Sequence, residues 1–389
     1  RYDSIEYRNC GESGLKLPSV SLGLWHNFGD NADSQNMSKM CFTAFDNGIT
    51  HFDLANNYGP YPGSAAENFG RILKEYLMPY RDELIISTKA GYDLWEGPYG
   101  DGGSRKYLIS SINQSLKRMG LEYVDIFYHH VRDPETPLEE TALALDQAVR
   151  QGKALYVGIS NYNKADTKKI MKIFEELRTP FIVNQPSYSM LNRWIEDDGL
   201  RDFAYDKGIG LAVFSPLYQG FLTDRYLNGV PEDSRVGKGN TWIGKELNEE
   251  MLKKLNALNE IARNRGQKLS QLALSWVLRE GKVTTVLIGA SRPEQIVENV
   301  EAIHKTEFTS EELEAIELGR VISRYLRGLD DRGRFVFISR EYFADPIKQI
   351  AKNFGVTDGQ EVSLKTYTSR QLVFENVPDR VRPDFASLA

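Results

Sequence analysis

The run Gly48-Ile49-Thr50-His51-Phe52-Asp53-Leu54-Ala55-Asn56-Asn57-Tyr58-Gly59 reads as a short buried strand that ends on an acid and passes into a loop carrying a phenol. β-Branched and apolar residues lead in, and side chains alternate along an extended segment, so Asp53 is delivered at the strand's end. Acids at strand ends and tyrosines in loops are common. The run alone therefore fits a structural turn as well as a proton-donating site. An amphipathic helical pattern follows over 65–76, and this order of strand then helix sets the fold.

Outward from it, the same order recurs. Short apolar runs stand at 19–24, 49–53, 84–88, 124–128, 155–159, 181–183, 210–214 and 285–288, with helical patterns between them, among them 106–119, 138–150 and 164–175. In 106–119 the residues Leu108, Ile109, Ile112, Leu116 and Met119 share one face, and Ser104 is placed to cap the helix. Alternating strands and helices with near-continuously apolar strands mean a parallel sheet covered on both faces. Eight such units favour an α/β fold closed into a (β/α)8 TIM barrel over an open doubly wound sheet. No Gly-x-Gly-x-x-Gly turn follows the first strand, which argues against a Rossmann domain. Ahead of the first strand, 5–8 and 15–17 flank Gly11-Glu12-Ser13-Gly14, an N-terminal hairpin placed to cap the barrel bottom. Two connections are long, 187–198 and 216–248, and long loops on a compact scaffold tend to carry function.

The composition bounds the chemistry. Of 389 residues, 41% are hydrophobic and 11% aromatic, ample for the core of a large barrel. A net charge of -6 gives no global reason for nucleic-acid or membrane binding. No apolar run approaches the roughly 20 residues that span a bilayer. The first residues, Arg1-Tyr2-Asp3-Ser4, hold no apolar signal core and no initiator Met. Cys10 and Cys41 make no disulfide framework, and the histidines include no pair at zinc-helix spacing. The expectation is a reduced, cytoplasmic protein without a metal.

In a barrel, catalytic groups come from the C-terminal ends of different strands. The second strand offers Asp53 with Tyr58 beyond it, the third Lys89, the fourth His130. A lysine closing an apolar strand needs a partner, and Asp53 on the adjacent strand is the natural one. A nearby ammonium stabilises a phenolate, so Lys89 is expected to lower the Tyr58 pKa from about 10 toward the useful range. His130 would orient a carbonyl oxygen. Together the four form a device for protonating an oxygen as hydride reaches its carbon. His129, one residue earlier, points to the opposite face, toward the surrounding helices.

At these residues the chain resembles the aldo-keto reductases, whose catalytic set is Asp, Tyr, Lys and His on a (β/α)8 barrel. The likeness spans about 5–320. It is carried in order by Gly48-Ile49-Thr50-His51-Phe52-Asp53, Ser87-Thr88-Lys89, Leu121-Glu122-Tyr123-Val124-Asp125, Lys153-Ala154-Leu155-Tyr156-Val157-Gly158-Ile159-Ser160-Asn161 and Val286-Leu287-Ile288-Gly289-Ala290-Ser291-Arg292. Trp25-His26-Asn27-Phe28, Asn56-Asn57-Tyr58-Gly59-Pro60 and Gly91-Tyr92-Asp93-Leu94-Trp95 look most like the branch that reduces L-glyceraldehyde 3-phosphate and methylglyoxal, a relative of potassium-channel β subunits. So does the stretch from Gly97 to Lys106.

The resemblance implies NADP(H) bound in an extended pose without a Rossmann fold. It counts Trp25, Asp53 and Tyr58 among the cofactor-binding residues, and by position it puts Ser160, Asn161 and Gln185 on the carboxamide, with Tyr188 a candidate to stack on the ring. It puts Phe214, Ser215, Pro216, Leu217, Gln219 and Gly220 along the pyrophosphate, with Arg225 and Arg235 reaching over it. Gly289, Ser291, Arg292, Gln295, Glu298 and Asn299 would surround the adenosine end. The residues read alone agree there, because Pro293 opens a helix just after Ser291 and helix N-termini attract phosphate. Arg292 is chemically suited to a 2′-phosphate. Trp25, Tyr92, Trp95 and Trp194 are candidates for an aromatic substrate pocket, though aromatic residues are equally core material. Arg105, Lys106 or Arg193 are candidates for a substrate phosphate, against capping or solvent exposure as the ordinary role of each.

Past about 320 the likeness ends, dividing the chain into a barrel at 1–320 and an extension at 321–389. The extension holds eleven Lys or Arg against nine Asp or Glu, in an otherwise acidic chain. Asp345-Pro346 is a good helix start and Gly355 a good stop, with a second helix expected from Thr357 or Asp358. The expected extension is small and α-helical, a degenerate helix-turn-helix. Residues 335–371 resemble, distantly, region 4 of bacterial sigma factors. The second helix offers only Lys365 and Arg370, which argues against duplex binding; homo-oligomer contacts, or a fusion or frameshift remnant without function, are the alternatives. Three functions stand open: NADPH-dependent reduction of a small-molecule aldehyde, a redox-sensing regulatory subunit that binds NADP(H), and a fused transcriptional regulator. The complete proton-transfer set favours the first.

Overall fold

The computed structural model describes residues 1–232, 234, 236–237, 244 and 246–317, with the backbone of 363–366 and 372–375. Two compact units divide the chain, one built from 1–218 and 273–307, the other from 219–272 and the chain from 308.

The first unit is the barrel. A hairpin of β1 (Tyr7–Asn9) and β2 (Lys16–Pro18) pairs antiparallel. Then β3 (Val20–Gly23), β4 (His51–Asp53), β5 (Ile85–Ala90), β6 (Val124–His129), β7 (Ala154–Ser160), β8 (Phe181–Gln185), β9 (Gly210–Phe214) and β10 (Thr285–Ile288) close in the order β10-β3-β4-β5-β6-β7-β8-β9. All eight neighbouring pairs are parallel. The helices α1 (Ser34–Asp46), α2 (Ser64–Ile72), α3 (Arg105–Met119), α4 (Leu138–Arg150) and α5 (Lys164–Leu177) follow successive strands. The expected strands, hairpin and closed barrel are therefore all present.

The apolar strand pattern has the expected cause. Outward residues are covered by helices, as where Phe52 of β4 meets Phe69 of α2 with ring centroids 5.3 Å apart. The hairpin reaches the barrel bottom, where Cys10 and Leu17 join Ile126, Tyr128, Ile182, Val183 and Ala212 in one buried cluster. Gly11 is required there, since its φ is +60° and a Cβ would lie 1.9 Å from the Gly208 carbonyl oxygen.

Helix α3 begins where Ser104 accepts a hydrogen bond from the Tyr107 N–H at 3.2 Å, and it ends at Gly120 in the left-handed region. Its buried face keeps Leu108, Ile112, Leu116 and Met119 of the sequence reading, adds Tyr107, Ser111 and Ser115, and leaves Ile109 out. Tyr107 is buried in place of Ile109, because its hydroxyl donates to the Tyr92 carbonyl at 2.5 Å and so ties α3 to the loop after β5. Periodicity alone favours Ile109, the more apolar residue.

In the second unit, Asn248 caps the helix Glu249–Asn264, accepting from the Met251 N–H at 2.9 Å. That helix buries Leu255, Leu258, Ile261 and Ala262, while the Arg265 guanidinium lies 3.9 Å from the Phe308 ring centre and pairs with Glu312. The tail corrects the expected helical extension where it is described. Ser363–Thr366 and Leu372–Glu375 pair as antiparallel strands in a stretch where the second helix was expected. Their Leu, Val, Phe and Thr content suits a pleated surface better than a helix. The first expected helix, from Asp345 to Gly355, lies outside the described residues.

Candidate active site

Strand register decides which side chains meet. Asp53 stands opposite Ser87, and Lys89 opposite Tyr128, so the inward face of β4 is continuous with that of β5 and β6. The Lys89 ammonium, wholly buried, donates to Asp53 Oδ2 at 2.5 Å, to the Leu54 carbonyl at 2.7 Å and to the Tyr58 hydroxyl at 3.2 Å. All three of its protons have acceptors. The other carboxylate oxygen, Asp53 Oδ1, accepts from Ser87 Oγ at 2.6 Å and Gln185 Nε2 at 3.2 Å. His130 lies just past the end of β6 with its ring centre 6.0 Å from that of Tyr58. Asp53, Tyr58, Lys89 and His130 thus stand together at one mouth of the barrel.

Beneath the lysine lies the Tyr128 ring, its centre 5.8 Å from Nζ. Gly158 makes room for it, because a Cβ there would sit 2.6 Å from the Tyr128 ring. The ammonium thus lies between two aromatic rings, with the Tyr58 ring centre 4.9 Å from Nζ as well.

The electrostatics correct one expectation. Burial pushes the Tyr58 phenol above its ordinary value; Lys89 pulls it down and Asp53 pushes it up, and the net direction is upward. Lys89 therefore limits the rise without bringing the phenol to neutrality, because desolvation of a phenolate inside the barrel is the larger effect. At neutral pH Tyr58 is a protonated donor. Burial works against the Lys89 charge, but the carboxylate of Asp53 and the phenol of Tyr58 more than offset it, so its pKa is raised. His130 is held well below the usual imidazole range by burial, then by Lys89 and His129, and so is neutral. Its Nδ1 is buried without a hydrogen-bond partner, a polar atom left for something the protein alone does not supply.

The aldo/keto reductase family model matches residues 19–318. The chain belongs to the aldo/keto reductase family. It is 57% identical over 321 residues to the L-glyceraldehyde 3-phosphate reductase of Escherichia coli K12, covering 82% of this chain and 93% of that protein. It is 37% identical over 311 residues to a putative voltage-gated potassium channel subunit beta of Schizosaccharomyces pombe, covering 77% of this chain and 88% of the other. Among solved structures, a thermostable aldo-keto reductase in complex with epalrestat superposes with a TM-score of 0.63 at 28% identity, over 81% of this chain and all of that one.

The residues that the resemblance assigns to a nicotinamide cofactor divide by location. In this aldo-keto reductase Ser160 and Gln185 close adjacent strands, joined by a hydrogen bond from Ser160 Oγ to the Gln185 carbonyl at 2.7 Å. Asn161 stands in the left-handed region at φ 58° and donates to the His130 carbonyl at 3.1 Å. The carboxamide candidates therefore border the four catalytic candidates directly. Phe214, Ser215, Pro216 and Leu217 follow at the end of β9, with Ser215 at φ 54° and Tyr218 at φ 46°. Backbone turned this way presents N–H groups, which suits an anion such as pyrophosphate. Gln219, Gly220 and Arg225 belong to the second unit, the first two also at positive φ, and Arg235 lies outside the described residues.

At the far end, Gly289 follows β10, and the Ser291 N–H and hydroxyl both donate to Gln295 Oε1, at 2.8 and 3.1 Å. The Arg292 side chain is 63% exposed and only loosely paired with Glu294 at 3.8 Å, so it is available to a phosphate. Glu298 and Asn299 ride on the same helix, with Asn299 buried. Within the barrel unit, the amides of Asn161 and Gln185 beside Ser160 are chemically suited to a nicotinamide carboxamide, and the unpaired His130 nitrogen is left for a further ligand atom.

The substrate-pocket candidates separate. Trp25, half exposed, stacks on His26 at 3.8 Å and lies 5.9 Å from the Tyr58 ring, and Tyr92 meets His130 edge-on at 4.6 Å. These two rim the site. Trp95 packs on Tyr107 at 5.1 Å, and Trp194 donates to Ser187 Oγ at 3.1 Å. Tyr188 is a correction: it is fully buried, bonded to Glu196 and Arg279 and packed on Trp276, so it does not face the nicotinamide position. Two phosphate candidates are likewise engaged elsewhere. Arg105 binds Gln147 of α4 at 2.7 Å, and Arg193 is buried against Trp276 at 4.4 Å. Lys106 lies over the Tyr99 ring at 5.2 Å.

The reading of His129 holds, since it turns outward to the Tyr162 hydroxyl at 2.7 Å. Sequence reasoning passed over His51, Ser87, Asn56 and Tyr107. The first two were recoverable, because each lies two residues before a catalytic candidate on the same strand and so shares its face. Asn56 donates to the Tyr107 hydroxyl at 2.8 Å, a contact with no local signal.

Proposed function

We propose that the protein reduces small aldehydes, of the L-glyceraldehyde 3-phosphate and methylglyoxal type, to alcohols with NADPH in the cytoplasm. The observation that carries this is the unbroken contact from Asp53 through Lys89 to the Tyr58 hydroxyl, beside a neutral His130. NADPH when bound supplies the hydride. Tyr58, protonated at neutral pH, donates its proton to the carbonyl oxygen as negative charge develops there. Lys89 stabilises the phenolate that remains, and Asp53 holds Lys89 charged and in place. His130, with no charge to repel Lys89, offers a ring N–H to the same oxygen. Trp25 and Tyr92 form an apolar mouth that admits a small carbonyl compound. Arg292 is the residue proposed to select NADP(H) over NAD(H).

The test is Tyr58→Phe, which keeps the ring and removes the proton. Methylglyoxal reduction should fall by about 10²-fold or more, while NADPH affinity by fluorescence titration stays near wild type. Wild-type turnover in that variant would end the assignment. A regulatory subunit that binds NADP(H) is the second reading, favoured by the 37% identity to a protein named as a channel β subunit. Slow turnover with barely exchanging cofactor would support it. No helix among the described residues is long and apolar enough to cross a membrane.

A further inference from the structure

Below the four catalytic candidates, the barrel interior holds a second set of polar groups that the proposed reaction does not use. Ser21 of β3, His51 of β4, Ser87 of β5 and Thr285 of β10 are all fully buried. They touch in sequence. Thr285 Oγ1 lies 2.6 Å from Ser21 Oγ, Ser21 Oγ 2.9 Å from His51 Nδ1, His51 Nε2 2.9 Å from Ser87 Oγ, and Ser87 Oγ 2.6 Å from Asp53 Oδ1.

The carboxylate at one end fixes every proton. Ionised Asp53 only accepts, so the Ser87 hydroxyl must donate to it. Ser87 has one proton, so it must accept from His51, which puts a hydrogen on Nε2. The opposite arrangement, with Ser87 donating to Nε2, would set two oxygen acceptors 2.6 Å apart with no proton between them. A neutral imidazole protonated on Nε2 has a bare Nδ1, which accepts from Ser21. Ser21 in turn accepts from Thr285. Four hydrogen bonds therefore run head to tail in one direction.

We infer that His51 is a positioning residue: as the neutral Nε2–H tautomer it aims a directed hydrogen-bond column from Thr285 and Ser21 through Ser87 at Asp53, and thereby fixes the Lys89 ammonium beneath Tyr58. This rests on the proposed role of Tyr58 as proton donor. Aligned hydrogen bonds polarise one another in a low-dielectric interior. Ser87 and Gln185 are the donors to Oδ1, and Oδ2 is the atom that holds Lys89. Without the His51 donor the Ser87 hydroxyl is no longer oriented toward Oδ1, so the carboxylate that seats Nζ is held less firmly.

The charged groups that act on His51 are Asp53, on its own strand, and Lys89, on β5; the hydroxyls it meets are Ser21 of β3 and Ser87 of β5. Burial lowers its pKa to about 4, with Asp53 and Lys89 pulling in opposite directions, so it stays neutral in the working range.

Two measurements test this. In the cofactor-free chain labelled with ¹⁵N-histidine, the resonances lost in His51→Gln identify His51. A protonated-type Nε2 and a bare-type Nδ1, unchanged at pH values well above about 4, are expected. An Nδ1–H tautomer or an imidazolium at neutral pH would overturn the column. For turnover, His51→Leu removes the donor to Ser87, whereas His51→Gln places an amide N–H where Nε2 stood.

His51→Leu should lose about tenfold in kcat, a fraction of the roughly 10²–10⁴-fold that a well-positioned proton donor contributes. Its KM should stay close to wild type, and His51→Gln should recover most of the loss. Equal losses in both variants, or none in His51→Leu, would refute the positioning role. Should the wild-type chain show no aldehyde turnover, the reductase reading falls, while the nitrogen spectrum still decides the column.

Discussion

Replacing Asp53 by Asn changes one charge and almost no volume, and its effect on stability can be worked from the contacts of Lys89. In the wild type the ammonium has one anionic acceptor, Asp53 Oδ2 at 2.5 Å, and two neutral ones, the Leu54 carbonyl at 2.7 Å and the Tyr58 hydroxyl at 3.2 Å. Removing one partner of a buried ion pair costs about 3–5 kcal/mol. A second limit applies, because the orphaned lysine can lose its proton. From a reference pKa of about 10.4, neutralisation at pH 7 costs about 1.36 × 3.4, or about 4.6 kcal/mol, and at pH 9 only about 1.9 kcal/mol.

The sign differs between the two proteins. Wild-type Lys89 has a raised pKa, so its contribution is fully present below the unfolded value and is lost only as pH rises through the folded one. In the variant the folded pKa drops below the unfolded one, so the penalty is greatest at low and neutral pH and shrinks toward pH 10. Urea unfolding of the cofactor-free protein at several pH values reads this directly. The expected loss is about 3–4.6 kcal/mol at pH 7, falling below about 2 kcal/mol at pH 9. A loss under about 1 kcal/mol at pH 7, or one that is the same at both pH values, would refute the account of Lys89 as a buried ion dependent on Asp53.

The rate of aldehyde reduction should stay flat across neutral pH and fall only above about 10, because Tyr58 must be protonated and its pKa is raised; a decline centred near neutrality in pre-steady-state hydride transfer would contradict that. His130, lowered well below the usual imidazole value, should give no acid limb in the ordinary imidazole range, at about pH 6.5. Arg292→Ala should weaken NADPH about tenfold and NADH hardly at all, measured by fluorescence titration of both; equal losses would remove it from the 2′-phosphate. Gly158→Ala, whose Cβ would press on the Tyr128 ring at 2.6 Å, should lower stability by about 1–3 kcal/mol, and an unchanged urea midpoint would show that the ring has room to move.

Much of the barrel was legible because its signals are local. Each strand is a short apolar run, each helix carries a 3.6-residue stripe, and Ser104 caps α3 by accepting from an N–H only three residues along the chain. The site was legible for a related reason, since residues at strand ends arrive at one mouth once the sheet closes. What failed was what depends on distant packing. Tyr188, Arg105 and Arg193 look suited to ligands by type and position, yet each is held by groups far along the chain: Arg279, Gln147 and Trp276. Tyr107 displaced Ile109 from the buried face for the same reason, through a bond to Tyr92 that no periodicity encodes.

The sequence by itself determined that strands and helices alternate around a barrel, and that an acid, a phenol, a lysine and a histidine stand where adjacent strands end. Only the tertiary structure decided their chemical state. Whether Lys89 lowers the Tyr58 pKa below its ordinary value depends on how much water the closed barrel removes from the phenol, and burial there outweighs one nearby ammonium. Which oxygen of Asp53 meets the lysine, and which nitrogen of His51 carries its proton, follow from the register of β3, β4, β5 and β10. Composition and periodicity are properties of a segment, whereas desolvation and hydrogen-bond direction belong to the assembled interior.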